Sequence, residues 1–287
     1  MKVYLAGVEQ GGPQKVASEI PNAFYSYYYI RQGPKCIKNA KKYHELVFID
    51  SGAHSFFAET ENIGSAHNTI KKSKTKDTPD EYMAKYLIWL VQNYEYYDYY
   101  AELDIGEIVG QKKVNYWRQQ LIDNNIFDKC VTVYHPYCMD WNDYLEMLEQ
   151  SQSKYIALEG DRNTRTRLNY NKYLKPAYEQ GIKVHGFAMT KIEVMRNYPF
   201  YSVDSTSWLQ PQMYGTIPIF NKGRITCVVW KKEKEYLKFP KKINLSILRG
   251  DDKELIRIYT MKIAIETYKE LETYYTNLWN KRGILWH

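Results

Sequence analysis

Six apolar runs in this chain end on, or carry, a side chain able to hold or move a proton. "LVFID" closes on Asp50, with Ser51 and Gly52 behind it, and "YYAELD" closes on Asp104, with Glu102 two residues earlier. "CVTVYH" ends on His135, and "YIALEGD" ends on Glu159, Gly160 and Asp161. "KVHGFAM" carries His185 and Gly186, and "FYSVDS" carries Asp204. Several carboxylates at such positions suit glycosidic-bond chemistry. One carboxylate attacks or stabilises an anomeric carbon while another moves protons, and no metal is needed. A mixed set of His54, His135, His185 and Asp204 suits a metal-dependent hydrolase instead. Against that, barrels of the second kind usually carry an HxH pair after the first strand, where this chain reads "AGVEQGG".

Each residue also has a plain structural reading. Asp-Ser-Gly after a strand is a common turn in which the aspartate caps its own backbone. Asp104 suits a helix cap, and His135 before Pro136 suits a packed histidine. Caps and turns alone, however, do not predict that polar residues should end one strand after another.

The elements that must position these groups follow from hydropathy. The runs at 2–8, 46–53, 99–104, 130–135, 155–160, 183–189 and 200–205 are nearly continuous rather than alternating. That is the pattern of strands buried on both faces, as in parallel sheets. An eighth strand is expected at 216–221 or 225–230. Between the runs lie helical stretches. Thr78 and Pro79 open one as cap and first residue. The stretch 110–125 places Val114, Trp117, Leu121 and Ile122 on one face, and 140–152 and 169–181 each precede a strand. In the last, Gly181 suits the C-terminal end and Pro176 a kink or a new start. Strand–helix alternation at this rhythm predicts an α/β chain, a (β/α)8 TIM barrel. One domain is expected over 1–287, in which 230–287 forms a basic segment and closing helices. No GxGxxG or GxxxxGK[ST] pattern occurs, which counts against a Rossmann domain or a P-loop.

Composition sets wider bounds. The 287 residues are 44% hydrophobic, enough for a substantial core, and include 29 tyrosines, which supply many platforms on which bases could stack. The net charge of +7 permits a nucleic-acid partner without requiring one. "KKSKTK" (71–76) and "WKKEKEYLKFPKK" (230–242) concentrate that charge, and each alone reads as a solvated loop. Cys36, Cys130, Cys138 and Cys227 form no CxxC pair, and no secretory leader opens the chain. A reducing, cytoplasmic setting with free thiols is expected. No apolar run reaches the ~20 residues that span a bilayer, so no membrane segment is expected.

The motifs "FIDSGAHSFF", "AELDIG", "YIALEGD", "VHGFAMT" and "YSVDSTSW", in that order, resemble the tRNA-guanine transglycosylase superfamily. The likeness is to its DNA-modifying branch, the DpdA-type enzymes, often phage-encoded, that insert queuosine-related 7-deazaguanine bases into DNA. It covers roughly residues 1–210. It implies a (β/α)8 barrel and a base exchange that needs no metal and no other cofactor. The partners it implies are DNA, with tRNA as the alternative, and a 7-deazaguanine base such as preQ0. Homodimers are common in the family, and a phage-encoded member would work in the host cytoplasm.

Residue by residue, the resemblance makes Asp204 the nucleophile at C1′ and Asp50 the general acid/base, within a DSGGF-type motif. Asp104 would take the Watson–Crick edge of the purine, and Gly160 would read its carbonyl through the backbone. Ser51, Gly52, His185 and Gly186 would line the base site. His135 stands where the family usually has a glutamine that contacts the base. Phe56, Phe57 and Trp208 are candidates to sandwich the purine, and the two phenylalanines suit core packing as well. Ser205 and Thr206 are candidates to orient Asp204. Arg162, Arg165 and Arg167 are candidates to hold phosphates. The zinc subdomain of the tRNA enzymes, CxCxxC with a distant histidine, is missing, since only Cys227 and His287 follow Asp204. That favours DNA over tRNA. Water as the acceptor would make the same aspartate serve a nucleoside-type hydrolase, and a barrel that only binds nucleic acid is the remaining reading.

Overall fold

The computed structural model describes residues 1–9, 11–31, 33, 37–58, 77–160, 168–229 and 243–286. Eight strands close into a barrel in sequence order. They are β1 (Lys2–Ala6), β2 (Asn22–Ser26), β3 (Leu46–Asp50), β4 (Tyr99–Ala101), β5 (Cys130–Tyr134), β6 (Tyr155–Leu158), β7 (Lys183–Gly186) and β8 (Ser202–Ser205). Closure comes from parallel pairing of β1 with β8, in which Tyr4 lies opposite Asp204. Every residue of β5 and of β6 is buried, as the continuous apolar runs predict. In a parallel barrel the C-terminal strand ends gather on one rim, where side-chain chemistry is displayed.

One strand differs from expectation. The eighth barrel strand is Asn22–Ser26, not 216–221 or 225–230. Its polar first residue hides it in the sequence. Asn22 is fully buried, and its Nδ2 donates to Glu272 Oε2 at 2.8 Å. The same oxygen accepts the Val3 N–H at 2.7 Å. The expected pair of runs instead forms a separate antiparallel hairpin, β9 (Thr216–Asn221) with β10 (Arg224–Val229). Lys222 and Gly223 turn it, both left-handed, at φ 46° and 84°. That twist is the one a two-residue hairpin prefers. A Cβ on Gly223 would fall 2.5 Å from a ring carbon of Tyr274, so only glycine fits there.

The described chain forms two compact units. The first comprises 1–23, 43–45 and 160–287, and holds β1, β7, β8 and the hairpin. Its long helix Lys253–Lys281 is a single element, capped by Asp252, which accepts the N–H groups of Glu254 and Leu255. The helix holds the hairpin by two bonds. Tyr275 donates its hydroxyl to the Gly223 carbonyl at 2.9 Å, and Thr267 donates to the Pro218 carbonyl at 3.0 Å.

The second unit comprises 24–42 and 46–159, and holds β3 to β6. Helix Pro79–Gln92 starts as expected, with a reciprocal capping box between Thr78 and Glu81. Its buried face is Tyr82, Met83, Tyr86, Trp89 and Leu90. Two of its phenols hold strand ends: Tyr82 donates to the Ser51 carbonyl at 2.7 Å, and Tyr86 to the Ala101 carbonyl at 2.9 Å. Helix Gln111–Asp123 buries Val114, Trp117 and Leu121, whereas Ile122, expected on the same face, is exposed. Pro176 stays inside helix Asn171–Glu179, in the first unit, and Gly181 follows that helix left-handed at φ 68°.

Arg118 reaches from its helix to Glu102 with two bonds, at 2.6 and 2.7 Å. Glu102 is 3% exposed and also accepts the Val133 N–H. Breaking a buried pair from one side strands the other charge. Arg118→Met should therefore cost about 3–5 kcal/mol in urea unfolding. The double variant Arg118→Met/Glu102→Met should recover much of that loss.

Candidate functional site

At the end of β3, Asp50 Oδ2 accepts the Gly52 N–H at 3.1 Å, the self-capping turn that Asp-Ser-Gly suggests. Gly52 is left-handed at φ 76°, and a Cβ there would come within 2.6 Å of the Tyr28 Cβ. Glycine is thus required by backbone and space alike, and its N–H is committed to Asp50 rather than open to a ligand. Ser51 is fully buried, and its Oγ lies 3.4 Å from Asp104 Oδ1.

Asp104 follows β4. Burial pushes its carboxyl up to about 7, opposed by the neighbouring His135 and assisted by the charge of Asp50. His135 follows β5, and Glu159 follows β6. The register pairs Tyr134 with Leu158, so the next residues along, His135 and Glu159, fall side by side. Glu159 Oε2 lies 2.9 Å from His135 Nδ1. His135 Nε2 lies 3.7 Å from Asp104 Oδ2, too far for a hydrogen bond. That nitrogen is buried and makes no hydrogen bond among the described residues. Burial alone would lower the imidazole below its ordinary value. The bond to Glu159 and the charges of Asp104, Glu159 and Glu102 outweigh burial and raise it. Glu102 itself is spent on Arg118 and Val133, a structural role.

In the first unit, His185 on β7 is fully buried. Its Nδ1 lies 2.6 Å from Ser202 Oγ, and its Nε2 lies 3.3 Å from Asp204 Oδ1. Asp204, inside β8, is 8% exposed. Its Oδ1 also accepts the Ala188 N–H at 2.6 Å. Oδ2 makes no hydrogen bond among the described residues. Ala188 supplies its N–H from a left-handed backbone at φ 53°, a conformation that side chains other than glycine adopt at a cost. Gly186 has no room for a side chain, because a Cβ would fall 2.8 Å from Met189 Sδ and 3.1 Å from a Phe200 ring carbon. A Cβ on Gly160 would lie 3.1 Å from the Phe187 carbonyl oxygen.

Several expected roles change. His185 is too deeply buried to touch a substrate; it meets Asp204 instead. Trp208 is fully buried, and its indole donates to the Ala6 carbonyl at 2.8 Å, so it braces the backbone rather than stacking on a base. Phe56 is 2% exposed and packs on Tyr82 at 4.3 Å between centroids, which is core packing. Ser205 does not orient Asp204. Its Oγ bonds with Thr190 Oγ1, the Tyr268 hydroxyl and the Ser207 N–H. Thr206 caps the short turn Ser207–Leu209 without a side-chain bond.

His54 is exposed on helix Ala53–Ala58. Among the described residues no group of three or more His, Cys, Asp and Glu side chains is arranged to hold a metal ion. Among the described residues Cys130, Cys138 and Cys227 form no disulfide. Among the described residues no helix is long and apolar enough to cross a membrane. Arg162, Arg165 and Arg167, Asp161, Cys36, His287, the 71–76 run and the 230–242 stretch lie outside the described residues. The side chain of Phe57 does too.

Two residues were missed by sequence reasoning. Glu159 stood at a strand end without a role, and the signal that would have found it is its register beside His135. Ala188 carries no signal at all, because its contribution is a backbone angle.

No family model and no curated protein matches the chain in sequence. Among solved structures, a candidate fructose-1,6-biphosphate aldolase from Coccidioides immitis superposes with TM-score 0.52 at 9% identity, over 97% of this chain and 93% of that one. The chain is a (β/α)8 barrel. At that identity the likeness shows the fold alone. The YdjI aldolase from Escherichia coli gives TM-score 0.49 at 9% identity, over 96% of this chain and 93% of the other. The glycoside hydrolase domain of PelA from Pseudomonas aeruginosa gives 0.37 at 10%, over 71% of this chain and 94% of its own.

The raised carboxyl has a consequence for stability. In the fold Asp104 keeps its proton up to about pH 7, whereas its ordinary value is 3.8. Between those values the unfolded chain binds fewer protons, so stability falls as pH rises through that window. Asp104→Asn removes the titration. It should be more stable than the parent at pH 8 and little changed at pH 4, as read by denaturant unfolding at both pH values.

Proposed function

We propose that the protein is a base-exchange transglycosylase that replaces guanine in DNA with a 7-deazaguanine base through a covalent aspartyl-glycosyl intermediate. The observation that carries this reading is the state of Asp204. The Ala188 N–H fixes Oδ1, with His185 Nε2 3.3 Å from the same oxygen, while Oδ2 makes no hydrogen bond among the described residues. A carboxylate held by one oxygen with the other uncommitted is prepared to attack carbon.

In the proposed reaction Asp204 Oδ2 forms a bond to C1′ of the target nucleoside. The bond to guanine N9 breaks, and its electron pair leaves with the base. Asp50 delivers the proton that the departing guanine requires. The incoming deazapurine then attacks C1′ through its N9 and surrenders its N9 proton to Asp50. The ester bond to Asp204 breaks, and the carboxylate is regenerated. A guanine edge presents N1–H and N2–H₂ donors, and Asp104 as a carboxylate accepts them. The target base must leave its stack to reach the rim of a barrel, so extrusion or a single-stranded substrate is required. Support comes from each aspartate by itself: Asp50 is the last residue of β3, Asp104 follows β4 and Asp204 lies inside β8. Support for DNA over tRNA comes from the sequence, which lacks the CxCxxC-plus-histidine zinc site.

Purified protein incubated with radiolabelled guanine and either DNA or tRNA tests the reading. Label should enter DNA, and preQ0 should chase it out. Asp204→Asn should lose activity by on the order of 10³-fold and form no covalent protein–DNA adduct on denaturing gels. Asp50→Asn should slow turnover by about 10²-fold. Full exchange by Asp204→Asn would overturn the assignment. Label entering only tRNA would move the substrate, and base release without incorporation would make water the acceptor.

A further inference from the structure

Glu159, His135 and Asp104 form a line of three groups at the ends of adjacent strands. We propose that Glu159 and His135 are positioning residues that set whether Asp104 meets its ligand as a hydrogen-bond acceptor or as a donor. This rests on the reading of Asp104 as the group that receives a base edge. The geometry orders the three. Glu159 Oε2 takes the Nδ1 side of the ring at 2.9 Å, which leaves Nε2 as the nitrogen nearest Asp104, 3.7 Å from Oδ2. His135 is 8% exposed and its Nε2 is buried without a hydrogen bond, whereas the Asp104 side chain is 22% exposed. A ligand therefore meets Asp104, and His135 acts through it.

The electrostatics follow from those distances. A protonated His135 beside Asp104 favours the carboxylate, and the Glu159 carboxylate favours the protonated ring. Without the imidazolium, burial holds the proton on Asp104. The other charged groups facing the pair all favour the added proton, which reinforces burial at Asp104 and opposes it at His135. Asp50 acts on Asp104 from the end of β3, and Glu102 acts on both residues from the end of β4, with its own charge matched by Arg118 from helix Gln111–Asp123. Ser51 Oγ, at 3.4 Å from Oδ1, is the neutral contact. As a carboxylate, Asp104 accepts two N–H donors, the pattern of a guanine-like edge. As a carboxylic acid it presents a donor, and that edge is no longer matched. The relay thus makes selection of the base edge depend on pH near neutrality.

The test is carbon NMR of the apo protein carrying ¹³C-labelled aspartate, with the Asp104 carboxyl signal assigned by Asp104→Asn. In the parent the signal should titrate near neutral pH. In His135→Gln the midpoint should rise by about one pH unit or more, since an opposite charge at this range is lost. Glu159→Gln should move it in the same direction by less. Equilibrium binding of guanine, measured by calorimetry from pH 5.5 to 9, should strengthen as pH rises through the same midpoint and follow it in both variants. An unmoved Asp104 midpoint in folded His135→Gln overturns the proposal. If that variant does not fold, an unmoved midpoint in Glu159→Gln overturns it equally. A moved midpoint with no guanine binding at any pH upholds the relay and overturns the base-exchange reading instead.

Discussion

Burying a strand on both faces confines its polar side chains to its ends. Every other feature of the candidate site depends on that constraint. β5 and β6 are buried throughout, so the first groups able to carry charge are His135 and Glu159, one residue past each strand. Parallel register then decides which of them touch, because residues at equal depth on neighbouring strands become partners. The same constraint explains the helix side chains that reach inward. Tyr82, Tyr86 and Arg118 bring donors to strand ends whose carbonyls and carboxylates are shut away from water. A buried acceptor without such a donor is costly, so the helices that cover the barrel also fix the geometry of its rim.

That constraint also governs what could be read from the sequence. The seven continuous runs, and the polar groups that end them, were legible because their period and their punctuation are local properties. The Thr78 start was legible because a capping box is written within four residues. Asn22–Ser26 was not. A strand that opens on asparagine looks like a loop until Glu272, far along the chain, is known to receive that amide. The hairpin was misread for the converse reason. Its runs are apolar enough for the barrel, but the left-handed Lys222–Gly223 turn makes them pair with each other.

Within the site, residue type was a better guide than residue role. Asp50, Asp104, His135, Asp204 and Glu159 do lie in or just after barrel strands, yet their division of labour depends on contacts that cross between strands. Trp208 and Phe56 were candidates to stack because aromatic rings suit purines, but large rings suit cores equally, and burial assigns both to packing. His185 was a candidate contact and is instead a support beneath Asp204. Composition cannot separate a group that faces a ligand from one that stands behind it. Depth in the barrel does so.

The left-handed turn at Ala188 has a consequence for how the fold can diverge. Its gift to Asp204 is a main-chain N–H, which every residue but proline possesses. Phe187 and Met189 can therefore drift, and Ala188 itself can become glycine or asparagine, without erasing the donor. What must persist is an angle rather than a letter. A distant relative could keep this arrangement around its aspartate while sharing almost no identity across the segment, and comparison of backbone conformation would detect the kinship where comparison of sequences falls silent.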